Sequence, residues 1–168
     1  MEFHEVLETR RSIRAWRPDP VPPGILEKIS SAALNAPSAC NLQPYRFLVV
    51  TRGELIRQLN DVTRQKFIGQ APVVIAALGN ADGAWHRNGH SLMEFDLGIV
   101  MEHIMLAAVA EGLAGCYIGA FDVEAADRLL NVPAGWSTFM LLPLGYASEE
   151  PRPFVRNRNG SALWETLK

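Results

Sequence analysis

Apolar positions recur along this chain with two different periods, and the changes between them divide it into elements. Residues 2–10 carry Phe3, Val6 and Leu7 at helical spacing and then run into a cluster of arginines, which predicts a short amphipathic helix. The proline-rich stretch 18–23 cannot be helical throughout and reads as a rigid connector. From residue 24 to 35, Ile25, Ile29, Ala32 and Ala33 return on one helical face, and Pro37 ends that helix. Residues 47–51 are apolar and β-branched, as in a buried strand. A further helix is expected over 54–67, with Leu55, Leu59 and Val62 inward, and a second core strand over 72–78. Residues 80–90 mix glycines, polar groups and Trp85, which predicts a mobile surface loop suited to a lid.

The longest helix is expected over 91–111, where Leu97, Val100, Met101, Ile104, Ala107 and Ala108 repeat at i+3 and i+4. Apolar and small residues occupy its other faces too, so it should be buried on several sides, in the core or at a subunit interface. After Gly112 and Gly115, residues 116–118 can form a short strand, and Asp122 is a suitable N-cap for a helix through Leu130. Residues 139–145 form the last strong strand, in which Pro143 favours an edge or a bulge. Residues 148–160 offer little to bury before Leu163, Trp164 and Leu167 reappear, so the tail is expected to leave the core and dock on a second subunit.

The length of 168 residues suits one domain, 1–168. A formal net charge of -2 leaves no broad cationic field for a nucleic acid or an anionic membrane, so anion recognition has to be local. The start of the chain is charged, without a signal-type apolar region, and nothing later has the uninterrupted apolar length of a span; a cytoplasmic protein is expected. Cys40 and Cys116 lie far apart in dissimilar contexts, which fits free thiols rather than a disulfide framework or a metal site.

Two stretches carry candidate chemistry. Arg10, Arg11 and Arg14 surround Ser12 at a helix C-terminus, where cations complement the macrodipole. The same guanidinium forks suit a phosphate, through charge-assisted bonds worth roughly 1.5–3 kcal/mol each. Residues 36–47, Ala-Pro-Ser-Ala-Cys-Asn-Leu-Gln-Pro-Tyr-Arg-Phe, read either as an ordinary helix-to-strand loop or as a hydrogen-bonding surface. Asn41 and Gln43 each offer donors and an acceptor, matching the carbonyl and N–H edge of a flavin pyrimidine. Together the two stretches point to flavin mononucleotide (FMN).

Quoted as they stand, Arg10-Arg11-Ser12-Ile13-Arg14, the 36–47 segment, Phe95-Asp96-Leu97-Gly98, residues 113–120 and Gly145-Tyr146-Ala147 with Arg152, Arg156 and Arg158 resemble, in order and spacing, motifs of the nitroreductase family of flavoproteins. The resemblance covers almost the whole chain. It implies an α+β sandwich with a central, mainly antiparallel sheet flanked by helices, in a homodimer with two FMN sites at the interface and an exchanged C-terminal tail. A dimer also has a physical motive, since one short chain has difficulty enclosing a tricyclic ring while leaving one face open.

Residue by residue, the resemblance assigns Arg10, Arg11, Ser12 and Arg14 to the FMN phosphate and ribityl side, with Arg14 also reaching toward the ring's N1 and O2. Pro37, Ser38 and Ala39 would cover one face from the second subunit, and Asn41 and Gln43 would meet the ring's polar edge. Tyr117, Ile118, Gly119 and Ala120 would lie near the reactive region, a backbone N–H of Gly119 or Ala120 reaching N5. Arg156 or Arg158 would complete the phosphate grip. The implied activity is an FMN-dependent NAD(P)H oxidoreductase that passes two electrons, by a ping-pong mechanism, to nitroaromatics, quinones or similar small conjugated acceptors. No catalytic side chain is implied, because hydride transfer occurs at flavin N5.

The chain departs from the pattern at Gly119, where many relatives carry an acidic side chain, and the cations or amides that larger members place before the second strand have only Arg64, Gln65, Lys66 and Gln70 as candidates. Other constellations were weighed. Cys40 with His86, His90 or His103 has no local mark of a nucleophile and base, and the His86/His90 spacing lacks the glutamate of a zinc helix. Asp96 reads as a helix-dipole partner or cap, and Cys116 as a small core residue. The alternative functions are a non-catalytic flavin-binding or redox-sensing module and specialised flavin-consuming or reductive dehalogenation chemistry on the same fold.

Overall fold

Strand Val73–Gly79 is buried at every position, and its burial organises the molecule. In the computed structural model, which describes residues 1–150, the helices are α1 (Phe3–Thr9), α2 (Pro23–Leu34), α3 (Gly53–Asp61), α4 (Met93–Ala110) and α5 (Val123–Leu130). The strands are β1 (Tyr45–Val50), β2 (Val73–Gly79), β3 (His86–Arg87), β4 (His90–Ser91), β5 (Ala114–Gly115) and β6 (Ser137–Gly145). The main sheet has the order β1-β2-β6-β5, with every neighbour antiparallel. Successive side chains of a strand face opposite ways. Val73, Ile75 and Ala77 therefore join Leu142 and Leu144 in one core cluster with residues of α2 and α4. Val74 and Ala76 join Leu141 in the other, beneath α3 and α5. The result is the α+β sandwich expected from the motifs: helices on both faces of one antiparallel sheet.

Helix α4 belongs to the core. Leu97, Val100, Met101, Ile104, Met105 and Ala108 are all buried, where each large aliphatic side chain contributes about 1.5–3 kcal/mol of transfer free energy. Its remaining surface is also apolar in part: Phe95 is 62% exposed, and on α1 Phe3 and Leu7 are 63% and 43% exposed. Only Val6 of the expected α1 apolar face is buried.

The structure corrects several expectations. The helix expected over 54–67 stops at Asp61, because Thr63 turns to pair with Phe121 and its hydroxyl serves the Asn60 and Gln65 carbonyls. The strand expected at 116–118 lies at Ala114–Gly115, with Ile118 making a separate bridge to Leu141. Pro143 is at neither an edge nor a bulge. It lies in β6, between β2 and β5, while the register shift falls where Ala77 pairs with Met140 and Leu78 with Thr138. Leu141 exchanges both backbone bonds with Ile118, so by alternation the nitrogen of Pro143 points to the same side, into the interval between the Ile118 and Gly115 pairings. Pro143 has no N–H to donate, and the pairing with β5 is interrupted there, at Cys116 and Tyr117. Residues 80–90 do not form an irregular loop throughout: β3 and β4 make a hairpin across Asn88 (φ 52°) and Gly89 (φ 81°), the left-handed pair of a tight two-residue turn. Residue 91 belongs to β4, which delays the start of α4 to Met93.

Candidate functional site

Past the end of α1 the chain becomes extended and alternates its burial. Ile13 and Trp16 enter a small cluster with Ala71, while Ser12 and Arg14 face solvent. The Ile13 N–H donates to the Gly115 carbonyl at 3.0 Å, Ser12 and Gly115 form a parallel bridge, and the Trp16 indole N–H donates to the Ala114 carbonyl at 2.8 Å. This approach demands glycine at 115, because a Cβ there would stand 2.8 Å from the backbone oxygen of Pro143. The arginine segment is thereby tied to the stretch leading into Cys116, Tyr117, Ile118, Gly119 and Ala120.

The arginines differ in their use. Arg11 Nη1 donates to the Glu8 and Arg10 carbonyls at 2.5 and 2.8 Å, serving the end of α1. The Arg10 Nε lies 3.8 Å from Glu102 Oε1, and Arg14 Nη1 donates to the Ser12 carbonyl at 3.3 Å. The Arg14 backbone N–H donates to Glu149 Oε1 at 2.7 Å. Beneath Ser12 and Arg14 sits Cys116; burial pushes its thiol up, with the Arg14 charge acting against that. The Tyr117 hydroxyl lies 2.8 Å from Glu102 Oε2, and burial first, then Glu102, keep the phenol above the ordinary tyrosine range. Among the described residues, neither the Gly119 nor the Ala120 N–H has an acceptor, and a Cβ on Gly119 would meet nothing within 4 Å. Ser12 and Arg14 thus stand over the start of the segment whose later residues, Gly119 and Ala120, carry backbone donors without an acceptor among the described residues.

The structure also sorts the candidates before the second strand. Lys66 Nζ is engaged with the Asn60 and Asp61 carbonyls at the end of α3. The Arg64 N–H donates to the Ala120 carbonyl at 3.1 Å, and its side chain is exposed. Arg64 is the cation brought beside Gly119 and Ala120. Nothing in the spacing of 64–70 separated it from Lys66; the separation comes from the early end of α3.

The second motif lies elsewhere. Pro37, Asn41 and Gln43 are exposed, and Ser38 and Ala39 half-buried. The Gln43 N–H donates to Ser38 Oγ at 3.0 Å, and the Ala39 N–H to Asp96 Oδ1 at 2.9 Å. Cys40 (φ 50°), Asn41 (φ 55°) and Gln43 (φ 50°) are left-handed, which costs an L-residue roughly 1–2 kcal/mol each. A cavity of about 460 Å³ adjoins this loop between α2 and β1, lined by Ile29, Ala33, Gln43, Tyr45, Phe47 and Ile104. The Tyr45 phenol is also raised, chiefly by burial. This loop is seated on Asp96, whereas Arg10 and Tyr117 meet Glu102; six helical residues separate those anchors by about 9 Å along α4 and roughly 240° around it. The two motifs therefore attach to different faces of α4. Asp96 is not the cap that its position suggested: Ser91 Oγ accepts the Met93 N–H, and Asp96 bonds across 57 residues to Ala39.

Arg156 and Arg158, like Arg152 and the apolar Leu163, Trp164 and Leu167, lie outside the described residues. Among the described residues no three His, Cys, Asp or Glu side chains are gathered as ligands for a metal, and no helix is long and apolar enough to cross a membrane.

An antiparallel sheet with helices on both faces places the chain in the α+β class. The chain belongs to the Nitroreductase family, whose family model matches residues 7–67 and 61–146. It is 32% identical over 179 aligned positions to an NADH dehydrogenase of Thermus thermophilus, covering 88% of this chain and 87% of that protein. A nitroreductase family protein from Clostridium novyi NT is 30% identical and superposes with a TM-score of 0.85, over 89% of this chain and 87% of its own. An FMN-dependent nitroreductase from Clostridium difficile R20291 shares the fold at 24% identity, with a TM-score of 0.84 over 96% of this chain and 98% of its own.

Proposed function

We propose that this chain is an FMN-dependent NAD(P)H oxidoreductase that passes two electrons to small conjugated acceptors such as quinones and nitroaromatics. One observation carries the reading: the pairing of Ser12 with Gly115, which ties the segment of Arg10, Ser12 and Arg14 to the one that carries the Gly119 and Ala120 N–H groups, both without an acceptor among the described residues. The donor set fits FMN. Arg10, Arg14 and the Ser12 hydroxyl hold the phosphate, Arg64 adds a cation near the ring, and the Gly119 or Ala120 N–H donates to the ring edge. Arg156 or Arg158 completes the phosphate grip. Pro37, Ser38, Ala39, Asn41 and Gln43 form the second wall.

FMN, when bound, supplies the hydride and electron-pair chemistry. The protein holds it, keeps positive charge near the pyrimidine side and leaves one face open, so that nicotinamide and acceptor use the same cleft in turn. Ping-pong kinetics follow from that shared cleft. The NADH dehydrogenase name of the Thermus relative supports a nicotinamide donor.

The two walls are joined in a homodimer, the second wall coming from the partner subunit. The exposed Phe3, Leu7 and Phe95 on α1 and α4 support this arrangement, since singly scattered apolar residues are ordinary but a helix apolar on all sides is a packing surface. The protein works in the cytoplasm.

Anaerobic mixing of the purified flavoprotein with NADH and with NADPH tests the reading. Rapid bleaching of the flavin absorbance, followed by reoxidation with a quinone or nitro compound, is expected, with parallel lines in double-reciprocal plots. Retained colour with both nucleotides would favour a binding or sensing module; loss of the flavin itself during turnover would favour flavin-consuming chemistry.

A further inference from the structure

We propose that Asp96 is the positioning residue of the 38–43 loop, holding its strained backbone in the shape that presents Asn41 and Gln43 to the flavin; this rests on the FMN reading above. Asp96 is fully buried on the first turns of α4. Its Oδ1 accepts the Ala39 N–H at 2.9 Å, while Oδ2 is buried without a hydrogen-bond partner among the described residues. Burying a carboxyl group with one oxygen unsatisfied carries a desolvation cost, and the bond to Ala39 is what the described structure sets against it. The positive end of α4 offsets part of that cost.

The bond falls where the loop needs it. Ala39 immediately precedes Cys40 and Asn41, both left-handed, and Gln43 follows as the third. Left to itself, this backbone would relax toward φ below zero. Besides the turn bonds from the Asn41 and Leu42 N–H groups to the Ser38 and Ala39 carbonyls, two side chains hold it, Asp96 accepting the Ala39 N–H at its start and Ser38 Oγ the Gln43 N–H at its end. Beyond them Pro44 is fixed by its carbonyl, which accepts the Asn80 N–H at 3.0 Å. Of the two clamps only Asp96 comes from outside the loop, so it alone ties the loop's position to α4. The carboxylate is given no flavin contact of its own; it holds the main chain of Ala39 and acts through the backbone of residues 39–43.

Amide hydrogen exchange and flavin titration on the full-length protein test this together. In the apoprotein, Asp96→Ala is expected to speed exchange at residues 39–43 at least tenfold without changing exchange in β2 and β6, and to weaken FMN binding at least tenfold. Asp96→Asn, which keeps an acceptor for the Ala39 N–H, is expected to restore slow exchange and most of the affinity. Unchanged exchange in Asp96→Ala would overturn the clamp. Faster exchange with wild-type FMN affinity would overturn the positioning role. Should Asp96→Ala not fold, Asp96→Asn and Ser38→Ala carry the test: slow exchange in the first and faster exchange confined to 39–43 in the second support the clamp, and the reverse pattern overturns it. Failure of the wild-type protein to bind FMN would instead strike the functional reading, and the exchange measurement would still decide the clamp.

Discussion

The Tyr117 hydroxyl lies 2.8 Å from one oxygen of Glu102, and the other oxygen of that carboxylate lies 3.8 Å from the Arg10 guanidinium. Glu102 thus joins the segment beside the proposed ring edge to the proposed phosphate grip. Tyr117 has its pKa raised by burial and by Glu102, so the native state binds its proton more tightly than the unfolded chain does. Its contribution to stability is complete below the ordinary tyrosine pKa of about 10 and falls as the pH rises above it. Alkaline unfolding followed by circular dichroism should show this decline in the wild type and a shallower one in Tyr117→Phe. Identical slopes would remove Tyr117 from the alkaline transition.

Arg10→Ala combined with Arg14→Ala should give a folded protein with little bound flavin. Two charge-assisted bonds of about 1.5–3 kcal/mol each correspond to a loss of affinity of a hundredfold or more. Flavin absorbance per chain after purification measures it, with far-ultraviolet circular dichroism as the control for folding. Wild-type occupancy in the double variant would sink the phosphate assignment.

Gly115→Ala should lower stability by about 1–3 kcal/mol, because the new Cβ meets the Pro143 carbonyl, which is backbone and cannot swing away. The Ser12 to Gly115 bridge should loosen with it. A urea titration reads the first effect and flavin occupancy the second; an unchanged midpoint would contradict the close approach.

Phe95→Glu should shift the protein toward monomer and release flavin with it, since Phe95 is a large exposed apolar residue of α4 and, in the proposed homodimer, the two walls of the site come from different copies. Sedimentation velocity over a range of concentrations checks the first part. A monomeric variant that retains full flavin would separate the site from the interface.

Gly89→Ala should alter which acceptors are reduced while leaving flavin content alone. Gly89 occupies φ 81° in the turn of the β3–β4 hairpin, where a side chain is strained although it has room. The change therefore acts on the hairpin and not on the core. Unchanged KM values across a panel of quinones and nitro compounds would remove the hairpin from acceptor selection.

Where one physical signal dominated, the sequence was legible. The continuous apolar run of β2 announced the central strand, and Asp122 was recognisable as a cap, its carboxylate accepting the Ala125 N–H at 3.0 Å. The arginine cluster was visible as a set of cations at the end of α1; that Arg11 serves Glu8 was not separable from an anion role, since both require the same side chain. Asp96 was misread because a carboxylate in a first turn looks like a cap until its partner, 57 residues away, is known. The end of α3 escaped because Val62 continues the helical period while Thr63 is captured by Phe121. The Asn88-Gly89 dipeptide was a hairpin signal available from the start, obscured by the short strands on either side.

The left-handed backbone at Cys40, Asn41 and Gln43 also bears on how variation in this loop should be interpreted. Glycine and asparagine enter that region readily and β-branched residues do not, whatever ligand lies nearby. A randomised library at these three positions, selected only for soluble expression, should already be depleted of valine, isoleucine and threonine. A restricted residue choice at 41 therefore has two independent sources, main-chain geometry and cofactor recognition, and only a selection carried out without flavin can apportion them.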